Sequence, residues 1–249
     1  MKKYDKNLII ITKNDIIKVI ITLFIITFFY CIFIHIYNHI INKERDFMDK
    51  IITIGRQFGS NGREIGKQLA AKLDIPFYDK EIIYETSKNS GLSESLLESL
   101  DEKPSKSFLY SLVMDPYSYG FTSTGYQTNL NQQAFQAMYD TIKRIGDAGP
   151  CVIVGRCADY VLRHNPDLLK VFIYAPVDER VKTVSNRFDL TEDKARAQIS
   201  KEDKGRASYY NYYTSKKWGV LDSYDICINS SLMDIEGNVD LLIHYINSL

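Results

Sequence analysis

A disulfide or metal framework is absent from this sequence. Its four cysteines, Cys31, Cys151, Cys157 and Cys227, are scattered through 249 residues and show no metal-ligand spacing. That pattern excludes a stapled secreted scaffold and points to a reducing compartment, with Cys151 reading as a small core residue in an apolar run. An excess of one charge sign is also absent. Lys plus Arg number 31 and Asp plus Glu number 31, so the net charge is zero. A broad nucleic-acid-binding surface is therefore not expected, whereas a local basic pocket remains compatible with the composition. There is no internal repeat.

A third absence is more informative. Residues 51–54 form a short β-branched run, Gly55 to Gly62 form a glycine-bearing loop (GRQFGSNG), and Ile65, Leu69 and Leu73 then recur on one face of a helix. Strand, glycine loop and helix place bare backbone N–H groups around a phosphate at a helix N-terminus. The standard motif continues G-K-[ST]. Aligned on Gly59 and Ser60, this chain has Gly62 in place of the lysine and Arg63 in place of the hydroxyl residue. What remains is the glycine geometry, Asn61, and the guanidiniums of Arg56 and Arg63, which can grip phosphate bidentately. A guanidinium cannot ligate a metal, so Mg²⁺ is expected without a dedicated protein ligand, Ser60 being the nearest spare hydroxyl. An ordinary tight turn with solvent-facing arginines explains this segment alone equally well.

From Met48 onward, short apolar strands alternate with helical patterns. Strands are expected at 51–54, 76–78, 151–154, 170–174 and 225–228, and helices at 63–72, 80–88, 133–147, 177–186 and 233–248. This order predicts an α/β fold with a doubly wound parallel sheet of about five strands. Ligands in such sheets bind at the carboxyl ends of the strands. Two stretches depart from simple crossovers: 103–130, rich in Ser, Tyr, Thr and Gly, and 187–217, densely charged and then densely aromatic.

The first 47 residues differ in kind. An uncharged run over 19–34 predicts an N-terminal hydrophobic helix of about 17–41, long enough to cross a bilayer. Its residues are those of A/T-rich codons, and Met48 is an equally plausible start, so the extension reads either as an anchor or as an upstream reading frame.

Three further segments complete a constellation. CVIVGRCADYVL (151–162) is a buried strand ending in Gly155-Arg156. FIYAPVDERV (172–181) is a strand, a proline turn and a helix start, with Asp178, Glu179 and Arg180 in structural roles. ISKEDKGRASYYNYYT (199–214) carries Lys201, Asp203 and Arg206 ahead of Tyr209 and Tyr210. Cations over a phosphoryl group suit a chemistry dominated by charge stabilisation.

These pieces, with IPFYDKEII (75–83), resemble the cytidylate kinase-like family, a divergent branch of the nucleoside monophosphate kinases, from about Asp49 to the C-terminus. The resemblance implies a P-loop kinase fold with a monophosphate-binding insert (about 79–130) and a helical lid (about 187–217). It implies phosphoryl transfer from ATP to CMP or dCMP, nucleotide substrates as the partners, and a cytoplasmic domain, membrane-anchored if the extension is translated. It places Gly59, Ser60 and Gly62 in the phosphate loop, Asp79 near the acceptor, Arg156 on the acceptor phosphate, and Lys201, Asp203 and Arg206 in the lid. With Arg63 or Arg56 substituting for the lysine, Arg63, Lys201, Asp203 and Arg206 are the candidate catalytic set. Arg56, Gly59, Ser60, Asn61, Gly62, Asp79 and Arg156 are the candidate nucleotide-binding set. Three positions depart from the family pattern: the missing lysine, Asp79-Lys80-Glu81 in place of Asp-Thr-Gly, and Cys157 where an acidic residue usually follows Gly-Arg. The departures keep a second reading open, a nucleotide-binding regulatory module without transfer activity. A third is an interaction protein using its tyrosine-rich segments (110–126 and 209–213).

Overall fold

The computed structural model describes residues 27–34, 50–102 and 124–249, with side chains from residue 130 in the last stretch. The chain divides into two units, 1–47 and 48–249. In the first, residues 27–34 are helical. The rest of the stretch expected to span a membrane (17–41) lies outside the described residues. Among the described residues, no helix is long and apolar enough to cross a bilayer.

The second unit is built on a five-stranded sheet. Its strands are β1 (Ile51–Arg56), β2 (Phe77–Tyr78), β3 (Cys151–Val154), β4 (Leu168–Tyr174) and β5 (Ile226–Asn229). The order is β2-β3-β1-β4-β5. Every pairing is parallel, with Ile51 opposite both Cys151 and Leu168. The strands read as continuous apolar runs because both faces are covered. Ile51, Ile52, Thr53 and Ile54 are all buried, as are the four residues of β3, so no polar alternation can appear in the sequence. Burying each such aliphatic side chain contributes about 1.5–3 kcal/mol.

Eight α-helices and two short 3-10 turns (Leu221–Ser223 and Ser230–Leu232) complete the described part of this unit: α1 (Gly62–Leu73), α2 (Glu81–Ser90), α3 (Glu94–Leu100), α4 (Thr124–Ala148), α5 (Ala158–Val161), α6 (Val177–Phe188), α7 (Glu192–Thr214) and α8 (Ile235–Asn247). Helix α1 stops at Asp74, whose left-handed backbone (φ 53°) returns its N–H to the carbonyls of Ala70 and Ala71. Helix α8 starts at Asp234, whose carboxylate accepts the Gly237 N–H. The chain leaves β1, runs out to β2, returns to β3, and then crosses to β4. The sheet therefore changes winding direction at β1, and the crevice at its carboxyl end is where such folds hold ligands.

Two differences from expectation have clear causes. Helix α4 begins nine residues before the expected 133, through Thr-, Gly- and Asn-containing sequence of low helical propensity. A helix already nucleated by its packed portion propagates through such residues at small cost. Helix α3 was not expected; Ser93 caps it by accepting the Leu96 N–H, and Leu97 and Leu100 bury it against Ile83 and Ala134. The stretch expected as a lid (187–217) holds the last residues of α6, the turn after it and all of α7. At its aromatic end Tyr209 and Tyr210 are buried, and the Tyr213 ring stacks on Phe135 of α4 at 3.8 Å between centroids. Of the insert, 103–123 lies outside the described residues, and with it most of the tyrosine-rich segment 110–126.

Candidate functional site

The glycine loop follows β1 directly. Gly59 takes a left-handed φ of 84°, and a Cβ there would meet Val184 Cγ2 at 2.8 Å. Asn61 is also left-handed (φ 59°) and gives α1 no side-chain cap. The first helical bond runs from the Ile65 N–H to the Asn61 carbonyl, 2.9 Å. The amides that precede it at the start of α1 have no acceptor within the helix, which is the arrangement that receives phosphate oxygens.

Gly62 explains the missing lysine. A Cβ at this position would sit 2.6 Å from Arg56 Cβ and 3.3 Å from Ile173 Cβ. Arg56 occupies the space that a lysine stem would need. Ser60 is not a spare hydroxyl. It is buried, with its Oγ 2.9 Å from the Gln57 carbonyl and 3.1 Å from the Ile173 carbonyl, and it closes the turn onto β4.

Arginines and carboxylates converge on the crevice. Arg56 donates both terminal nitrogens to Glu102, at 2.6 and 2.9 Å. Arg206 Nε reaches the same carboxylate at 3.3 Å, and Arg206 Nη1 donates to the Arg56 carbonyl at 3.2 Å. After β3 the chain passes through three left-handed residues, Gly155 (φ 77°), Arg156 (φ 52°) and Cys157 (φ 57°). This turn aims the Arg156 N–H at Glu102, 3.0 Å away. The Arg156 side chain is 2% exposed and bridges Asp79 at 3.1 Å and Asp101 at 2.8 Å. Arg63 Nε takes the other oxygen of Asp79 at 2.6 Å.

The electrostatics follow from this packing. Burial alone raises the Glu102 and Asp79 carboxyls, but the guanidiniums around them win and hold both below their ordinary values. Asp101 is raised, because burial and the neighbouring Glu102 charge outweigh Arg156. Arg206 is lowered by burial and by the Arg56 charge. Beside this cluster lies a wall of Cys157, Tyr209, Tyr210, Trp218 and Tyr224. Within it Tyr210 Oη donates to Asp159 at 2.6 Å, and burial raises the Asp159 carboxyl. Among the described residues, three buried polar atoms of this region have no hydrogen-bond partner: Arg156 Nε, Asp101 Oδ1 and Tyr209 Oη. The cavity itself measures about 20 Å³. That is room for about one water molecule.

The sequence matches the cytidylate kinase-like family over residues 51–232. The chain belongs to that family. A curated cytidylate kinase from Sulfolobus acidocaldarius is 29% identical over 86 residues, 34% of this chain and 47% of that enzyme. The chain thus spans about half the length of the curated relative it matches. A solved structure of an uncharacterized protein from Eubacterium ventriosum is 32% identical, covers 81% of this chain and 99% of its own, and has a TM-score of 0.60. A shikimate kinase from Bacteroides thetaiotaomicron has 14% identity, a TM-score of 0.47, and coverage of 79% of this chain and 97% of its own.

Within this cytidylate kinase-like domain, Arg56, Arg63, Asp79, Arg156 and Arg206 come together. Gly59, Ser60, Asn61 and Gly62 shape the adjoining loop. Asp203 faces the loop too, accepting the Phe58 N–H at 2.7 Å and pairing with Arg180 at 2.6 Å. Lys201 is not brought to this group. It is exposed, and five residues along a helix place it about 140° around α7 from Arg206. Arg180 donates from Nε to the Ala175 carbonyl and from Nη1 to the Phe58 carbonyl. Sequence reading missed Asp101, Glu102 and Asp159. The first two follow α3, and the only sequence signal was an acidic pair ahead of a long loop.

The loop amides and the arginine cluster carry the donor chemistry that phosphoryl oxygens take. Mg²⁺ finds no carboxylate set of its own: among the described residues no group of three His, Cys, Asp or Glu is placed to hold a metal, and the Ser60 hydroxyl is committed elsewhere. A Mg²⁺ bound here would be held by substrate oxygens and water.

Proposed function

We propose that this domain transfers the γ-phosphoryl group of ATP to a nucleoside monophosphate, with CMP or dCMP as the leading acceptor. Family membership supports the reaction class. The observation that carries the reading is the convergence of Arg56, Arg156 and Arg206 beside an uncapped helix N-terminus at the carboxyl ends of β1 and β3. Loop amides from Gly59 to Arg63 receive the donor phosphates, and Arg56 supplies the positive charge that the lysine otherwise provides. Arg206 reaches the transferring group from α7, and Arg63 sits between the loop and Asp79. Arg156 receives the acceptor's phosphate, with Asp79 holding the guanidinium in place. An oxygen of that phosphate attacks the γ-phosphorus, the bond to the bridging β–γ oxygen breaks, and ADP leaves. The attacking oxygen is already anionic, so no general base is required. Catalysis then consists of positioning and charge stabilisation. Asp203 serves by tying α7 to the loop.

A panel turnover assay with ATP and the common nucleoside monophosphates tests this. CDP or dCDP should form fastest, and Arg156→Ala should raise the acceptor KM far more than the ATP KM. Absence of product with every acceptor at high enzyme concentration would remove the reading. Saturable ATP binding without product would instead support a regulatory module, which the engagement of every site arginine with a carboxylate or a carbonyl favours. The reading puts the unit from Met48 onward with cytoplasmic nucleotide, whether the chain starts at Met1 with an anchor over 17–41 or at Met48. Mass spectrometry of the intact cellular protein separates these two starts.

A further inference from the structure

We infer that Glu102 is an internal anion seated in a phosphoryl-oxygen site, so that this carboxylate and a phosphate exclude each other. Four N–H donors converge on its two oxygens: Arg56 Nη1 and Nη2, Arg206 Nε and the main-chain amide of Arg156. A guanidinium fork takes two oxygens of a phosphate in the same planar geometry as two oxygens of a carboxylate. The site also stands where a phosphate belongs, between the glycine loop and the turn after β3. Gly155 follows β3 there with a left-handed backbone (φ 77°), and a Cβ on it would lie against the ends of the Glu102 and Arg56 side chains.

Glu102 reaches this place from outside the sheet, just beyond α3. It does so with a left-handed backbone, φ 49°, that a glutamate rarely adopts. Such a conformation persists only where surrounding contacts impose it, and the four donors are those contacts. Occupancy of the donors carries the exclusion: the four N–H groups that would receive a phosphate already point at Glu102, and the cavity left beside them is about 20 Å³. An incoming phosphate must take Glu102's place. The exchange is one anion for another, so the two buried guanidiniums are never left without a counter-charge. Asp101 is covalently next to Glu102 and holds Arg156, so withdrawal of Glu102 also loosens the arginine assigned to the acceptor. Glu102 thereby sets a threshold that weak anions do not pass, and couples arrival of the first phosphate to release of Arg156.

The inference deepens the phosphotransfer reading and rests on it only for the identity of the natural ligand. Its test is calorimetric titration of the full-length chain with inorganic pyrophosphate at low salt. Glu102→Gln should bind at least about tenfold more tightly than the wild type, because removing an internal competitor raises the fraction of competent sites. Hydrogen exchange on the wild type supplies a second readout that does not depend on the variant's folding. Saturating pyrophosphate should speed exchange at Leu100–Glu102. Equal or weaker affinity in Glu102→Gln, no pyrophosphate binding to either protein, or unchanged exchange with pyrophosphate bound would each overturn the inference. A chain that shows both effects yet phosphorylates no acceptor keeps this inference and loses the phosphotransfer reading.

Discussion

The Asp203 carboxylate accepts the main-chain N–H of Phe58 at 2.7 Å, so a residue of the helical hairpin closes directly onto the phosphate loop. Its other oxygen pairs with Arg180 Nη1 at 2.6 Å, and the two side chains are 18% and 9% exposed. Truncating one member of such a pair strands the other. Asp203→Ala should destabilise the domain by about 2–4 kcal/mol, less than for a fully buried pair, and Asp203→Asn by less because it keeps an acceptor for Phe58. Urea denaturation midpoints of the three proteins check this. Equal midpoints would show that the contact carries no stability.

Gly62 cannot be returned to the standard lysine without a penalty. A Cβ at 62 meets Arg56 Cβ at 2.6 Å. Gly62→Ala should therefore cost about 1–3 kcal/mol, as overpacked sites do, and Gly62→Lys at least as much. Arg56→Gly removes the opposing atom, so the double variant Arg56→Gly/Gly62→Ala should be more stable than the sum of the singles predicts. A thermal double-mutant cycle reads the coupling directly, and strict additivity would refute it.

The two cations of α7 should separate kinetically. Arg206 contacts Arg56 and Glu102 within the cluster, whereas Lys201 is exposed on another face of the helix. Arg206→Ala should lower kcat by about 10²-fold or more, the scale of losing one preorganised charge donor. Lys201→Ala should leave kcat near the wild-type value. Steady-state rates with saturating ATP and acceptor decide the matter. A large loss in Lys201→Ala would mean that α7 rotates or slides on binding.

Acid should weaken the fold through Glu102. Its carboxyl is held below the ordinary 4.5, so the folded chain refuses a proton that the unfolded chain accepts. Its contribution is fully present above pH 4.5 and declines as pH falls toward the lowered folded value. Asp79 acts in the same sense below 3.8. Asp101 and Asp159 act oppositely, since their raised values let the folded state take up protons first and so erode stability as pH rises through that window. The Tm difference between wild type and Glu102→Gln should accordingly be larger at neutral pH than in acid. Calorimetric scans across the range measure it, and a constant difference would assign Glu102 no share in the acid response.

The strands could be read from the chain because each is a short apolar run buried on both faces, as at 51–54 and 151–154. The loop from Gly55 to Gly62 and the Gly155-Arg156 turn were equally visible, since glycine followed by a charged residue at a strand's end has few structural meanings. Glu102 was not visible. Its partners lie 46 and 54 residues away in sequence, and nothing local to Asp101-Glu102 separates a buried anion from a solvated loop. For Lys201 the chain showed a cation in a lid-like segment but not the helix phase, which leaves it exposed and away from Arg206.

Composition and periodicity by themselves determined the parallel α/β sheet, the order of its strands along the chain, and the crevice where its ligand belongs. These follow from local propensity and from burying apolar faces, which a linear sequence records. The tertiary structure alone decided which charges meet there. Ion pairing in a buried crevice depends on distances of a few ångströms between elements far apart along the chain, and no spacing in the sequence encodes those distances.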